Sequence, residues 1–175
     1  MQQPLTGQES IKTENLDSLQ QDILKEIAHF KSVSNRGLWA LSLFLLVSMT
    51  AWGDFSFLVL PDSVLKVLGK PPSTQAISIL LIIYTFSAIM LSLSRMMAGV
   101  EHKSSYCHVG YLTIFYLFYH FAKTLDENYW AVFGAGITIL AVESYRIWSY
   151  CSEMIAKKEE DLEFIRKTGR RPIDE

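Results

Sequence analysis

Residues 75–94 read QAISILLIIYTFSAIMLSLS, an unbroken run without a charged side chain. Crossing roughly 30 Å of hydrocarbon takes about 20 mostly apolar residues. The run is therefore long enough to predict a membrane-spanning helix, over about 75–95. Three other stretches resemble it less perfectly. One starts at Gly37, runs through LWALSLFLLVSMTAW and fades near Phe57, with Asp54 inside it. Another, Tyr106–Ala122, is short and aromatic (YCHVGYLTIFYLFYHFA). The last, Tyr129–Trp148, contains Glu143 and Arg146, and about 27 Å of helical rise separates its Trp130 from Trp148, a spacing that suits two aromatic belts.

The composition agrees with an apolar middle between polar ends. Half of the 175 residues are hydrophobic, yet the first 36 and the last 24 are rich in Lys, Glu, Asp and Gln. The sequence thus predicts an all-α protein, a four-transmembrane-helix bundle over 37–150 with spans near 37–57, 75–95, 106–122 and 129–148. A polar segment, 1–36, precedes the bundle and a helical tail, 151–175, follows it. The first 35 residues hold no apolar h-region, so no signal peptide is expected.

Charge orients the spans. Lys12, Lys25, Lys31, Arg36, Arg95, Lys103, Arg146, Lys157, Lys158, Arg166, Lys167, Arg170 and Arg171 fall on one side, and only Lys66, Lys70 and Lys123 on the other. Basic residues are retained in the cytoplasm, which predicts both termini inside. The net charge of −2 suggests no nucleic acid partner. Proposed outer loops without an N-x-S/T acceptor point to a bacterial cytoplasmic membrane.

Helix-packing faces are written into the spans. Ser78, Thr85 and Ser92 recur every seven residues, with Ala88 on the same face, and small hydroxylated side chains let helices approach and bond. In the fourth span Ala131, Gly134, Ala135 and Thr138 form a comparable face. A short turn around 123–128 makes the third and fourth spans a hairpin, with Asp126 as the helix cap.

Outside the bilayer, Leu16, Leu19, Ile23, Leu24, Ile27 and Phe30 form one stripe of an amphipathic helix over 14–33. Residues 1–13 read as disordered. The tail keeps helical spacing at Cys151, Ile155, Leu162 and Ile165 through about 151–167, as a continuation of the fourth span, and Gly169 is a natural stop. These two helices are the expected surfaces for packing on each other, on a protein partner or in self-association. In the first outer loop, Val64, Leu65, Val67 and Leu68 suggest a short interfacial helix closed by Gly69 and Pro71-Pro72.

Ionisable residues within spans are costly and draw attention first. An inner cluster comprises Arg95, His108, Glu143 and Arg146, with Glu143 and Arg146 spaced to pair on one helix. An outer pair comprises Asp54 and His120. The bland role, a salt bridge and a hydrogen bond that pin helices together, outweighs proton or ion handling at both places, and binding of a lipid or quinone headgroup at the inner one.

Other chemistry finds no motif. His108 and His120 lie on one helix about 18 Å apart, which is unsuited to bis-histidine haem, and no His/Cys/carboxylate triad converges on a metal. Cys107 and His108 diverge by about 100° around the helix and form no nucleophile–base dyad. Cys107 and Cys151 lack CxxC spacing and read as reduced thiols near the inner face, with palmitoylation the sharper alternative. No cofactor is expected. The sequence therefore predicts a non-enzymatic accessory or structural subunit of a larger membrane complex. The alternative is a small homo-oligomeric proton- or ion-coupled transporter or channel using Glu143 or the Asp54/His120 pair.

Overall fold

The computed structural model describes residues 6–56, 70–98 and 105–168, with side chains from residue 18 onward. Five helices account for nearly all of them: α1 (Thr6–Ser34), α2 (Arg36–Trp52), α3 (Thr74–Met97), α4 (Tyr106–Phe121) and α5 (Leu125–Thr168). No strand occurs among the described residues. The protein is all-helical. Of the described helices, α3 alone meets both the length and the apolarity needed to cross a membrane. The expected interfacial helix around Val64–Leu68 and the stop at Gly169 lie outside the described residues.

The chain divides into two compact units, Met1–Asn35 with Trp148–Glu175, and Arg36–Ile147. In the first, α1 and the later part of α5 pair in antiparallel fashion. Phe30 meets Tyr150 edge to face at 6.4 Å, and Glu26 binds Lys158 at 2.8 Å. Ile23 and Ile27 are buried with Leu162 and Ile165, flanked by Leu19 and Ile155. Earlier residues of one helix thus meet later residues of the other. Each buried aliphatic side chain contributes about 1.5–3 kcal/mol in water. Leu24, assigned to the stripe by spacing, is half exposed. Residues 6–13, read as disordered, are helical, because α1 starts at Thr6.

In the second unit α2 buries Gly37, Ala40, Phe44, Ser48 and Ala51, one residue per turn. It packs on α4, which in turn packs on α3. α3 starts where the Ser73 hydroxyl accepts the Ala76 N–H at 3.3 Å, which satisfies one of the orphan donors of the first turn. α2 stops at Trp52, short of Phe57, in a turn whose Asp54 and Phe55 both adopt left-handed backbone, φ 50° and 46°.

α4 closes with a Schellman motif. The Thr124 N–H bonds the Tyr119 carbonyl and the Lys123 N–H bonds the His120 carbonyl, each at 3.0 Å. The left-handed residue is Lys123, φ 56°, where glycine is the usual choice. α5 then begins at Leu125. Asp126 is therefore the second residue of the helix rather than its cap, and with Glu127 it places negative charge in the first turn, where the helix dipole favours it.

The packing face of α5 differs in part from the one expected. Ala135 packs against the core, but Ala131, Gly134 and Thr138 are exposed, and the buried positions include Tyr129, Val132, Gly136, Ile139, Leu140, Glu143 and Arg146. The small residue that matters is Gly136. A β-carbon there would sit 2.1 Å from Cζ of Phe44, so the Phe44 ring rests directly on the helix backbone. Phe44 also stacks at 6.2 Å on both Tyr116 and Phe133. Gly37 makes a second close approach, since a β-carbon there would lie 2.7 Å from the Ser144 Oγ.

Candidate functional site

Two polar clusters lie inside the second unit. In the inner one, Arg146 Nη2 donates to Glu143 Oε2 at 3.3 Å, an i,i+3 pair on α5, and the Ser92 hydroxyl of α3 donates to the other carboxylate oxygen. Glu143, Arg146 and Ser92 are all below 5% exposed. The anion meets both a cation and a hydroxyl, which offsets part of the cost of burying two charges. Removing one member leaves the other uncompensated at a cost of about 3–5 kcal/mol.

His108 is beside this group but engaged elsewhere. Its Nδ1 shares a 2.7 Å hydrogen bond with the Tyr84 hydroxyl, and Tyr84 is itself ringed by Tyr111 and Phe115 at 5.7 Å. Arg95, in the last turn of α3, is exposed. Of the four residues assigned to the inner cluster, the structure thus joins Glu143 and Arg146 directly. His108 is bound to Tyr84, and Arg95 stays at the surface.

The outer pair is formed. His120 Nδ1 and Asp54 Oδ1 are 2.8 Å apart, with His120 largely buried and the Asp54 side chain 70% exposed. The left-handed turn at the end of α2 aims Asp54 at α4 and turns Phe55 inward, where its ring meets His120 edge-on at 5.6 Å. Two consecutive left-handed L-residues cost roughly 1–2 kcal/mol each, and these contacts hold them.

Below this pair lies a set of hydroxyls that charge-seeking overlooks. The Tyr116 hydroxyl donates to Ser48 Oγ, and the Tyr129 hydroxyl to the Ser48 carbonyl, both at 3.1 Å. Ser78 and Tyr119 bond at 2.8 Å, and Thr74 and Thr124 at 3.2 Å. The seven-residue recurrence of Ser78, Thr85 and Ser92 was the signal for the Ser78–Tyr119 link and, in the inner cluster, for Ser92–Glu143. Ser48, Tyr84 and Tyr129 carried none, because a tyrosine or serine in an apolar helix reads equally well as facing out.

Phe44 separates the clusters. Its seat, Gly136, is seven residues from Tyr129 and seven from Glu143, about 10 Å of helix in either direction. Among the described residues no three His, Cys, Asp or Glu side chains gather as a metal site requires. Cys107 is exposed and Cys151 buried.

Compared with known protein families, with curated proteins and with solved structures, the chain matches none. The function is therefore read from this arrangement itself. What it does physically is staple helices: Ser92–Glu143 and Ser78–Tyr119 tie α3 to its neighbours, Asp54–His120 and Ser48–Tyr116 tie α2 to α4, and Tyr129–Ser48 ties α5 to α2.

Proposed function

We propose that the protein is a four-span integral membrane protein with both termini in the cytoplasm. It serves as a non-enzymatic accessory or structural subunit of a larger membrane complex. The observation that carries this reading is the distribution of side chains in α2–α5. All four tryptophans are exposed, from 57% for Trp148 to 67% for Trp39, together with Leu46, Met49, Ile82, Phe86, Leu91 and Ile114. The ionised pair and the hydroxyls are inside. Water selects the opposite arrangement, whereas lipid accepts apolar side chains outside and rewards polar bonds between helices.

This distribution supports spans for α2 and α4 as well as α3, although they have only 17 and 16 residues. The fourth span is the first part of α5, where Glu143 and Arg146 carry charge but face inward and neutralise each other. The paired cytoplasmic helices supply a part outside the bilayer on which a partner can build.

Gentle affinity purification from native membranes tests the reading. A partner at fixed ratio is the expected result, and recovery only as a pure monomer or homo-oligomer sinks the subunit role. The transporter reading is the weaker one. Arg146 and Ser92 already hold Glu143, and the Phe44 ring occupies the midpoint between the polar clusters. Glu143→Gln in proteoliposomes is expected to leave ion flux at the level of empty vesicles, as in the unaltered protein.

A further inference from the structure

The helix lengths bear on which bilayer this bundle fits. α2 runs from an exposed Arg36 to Trp52, and 17 residues at 1.5 Å give about 25 Å. Beyond Trp52 the chain turns and presents Asp54, whose side chain is 70% exposed, so the helix itself ends there. α4 has 16 residues, about 24 Å, and the Schellman turn at the exposed Lys123 stops it outright.

The aromatic residues repeat the measure. Trp39 and Trp52, 67% and 66% exposed, are about 20 Å apart along α2, and Trp52 meets Trp130 at 5.8 Å to thicken the belt at that end. The longer spacing, about 27 Å from Trp130 to Trp148, lies along the long α5, which tilt can accommodate. A typical hydrocarbon core is about 30 Å thick. α3, with 24 residues and about 36 Å, does not set the limit, because a long helix tilts to fit whereas a short one cannot stretch.

We infer that the bundle is built for a thin bilayer, one with a hydrocarbon core of about 20–25 Å furnished by short acyl chains, rather than the average one of about 30 Å. This rests on the four-span reading and adds the class of lipid that covers the exposed faces of α2 and α4. In thicker membranes the shortfall falls on these two helices, and either the surrounding lipid must thin or their polar ends must be dragged inward.

The test is thermal unfolding of the full chain in phosphatidylcholine bilayers whose monounsaturated chains have fourteen, eighteen or twenty-two carbons. Alongside it, tryptophan quenching by brominated lipids is measured in a Trp130→Phe, Trp148→Phe variant, which keeps Trp39 and Trp52. The expected result is a midpoint highest in the shortest chains and falling stepwise with length. Quenching is expected to be stronger for bromine near the headgroup than at the chain end. A midpoint that is flat or rises with chain length overturns the inference while leaving the spans intact, provided the quenching pattern holds. Tryptophans unquenched at any bromine depth overturn the four-span reading, and this inference with it.

Discussion

Gly136 and Phe44 illustrate how single residues fix the interior. The ring lies where a side chain on Gly136 would begin, so even a methyl group meets aromatic carbons at 2.1–2.7 Å. Gly136→Val is expected to cost about 1–3 kcal/mol or more through overpacking, and Phe44→Leu in the same chain to recover part of it. Unfolding midpoints of the two single variants and the double variant in detergent give the coupling, and strict additivity would show that the two residues do not share a seat. In the first unit, Glu163 binds Lys167 at 2.6 Å one turn on. That hydrogen bond and the lysine charge hold its carboxyl below the ordinary glutamate range. A folded-state pKa below the unfolded one means the stabilisation is present above the unfolded value and is lost as pH falls through the folded one. Side-chain NMR should therefore find the Glu163 midpoint moving upward in Lys167→Ala.

Among the elements, the end of α4 shows a sequence meeting a geometric demand with an unsuitable residue. Lys123 takes a left-handed backbone that costs an L-residue roughly 1–2 kcal/mol and glycine almost nothing. Its side chain is exposed, so little packing is lost on removal. Lys123→Gly should raise stability by up to about 1 kcal/mol, after the extra freedom glycine gains in the unfolded chain is deducted. A lower melting point in the variant would show that the lysine side chain contributes something its exposure hides. The helices themselves were legible: α3 from its uncharged run, and the tail from its apolar spacing. Their ends were less so. Asp126 looked like a cap because acids favour both the cap and the first turn, and only the Schellman turn through Thr124 settles which it is. The face of α5 is legible only in part, for a related reason. Gly134 and Gly136 are equally small, and which of them meets a neighbour depends on where Phe44 lands.

At the scale of the molecule, Glu143 with Arg146 and Asp54 with His120 could be paired from the sequence, because polar side chains along apolar stretches need hydrogen-bond partners. Arg95 could not be separated from that group by spacing alone; its exposure depends on where α3 ends. The apolar stripe of α1, open in sequence terms to several uses, is taken up by the chain's own tail. Ile23→Asp is expected to release that pairing, with faster amide exchange in α1 and in the later part of α5 and none of the change in α2 or α4. Unaltered exchange in the tail would mean that the two helices stand without each other.

That pairing has a consequence for how the protein is made. Ile23 and Ile27 leave the ribosome about 135 residues before their partners Leu162 and Ile165. At about 5–20 residues per second the stripe of α1 stays unpartnered for roughly ten to thirty seconds while the intervening residues are translated. For that interval the nascent α1 is an amphipathic helix with an uncovered apolar face, and it becomes half of a finished pair only when the later part of α5 has been made.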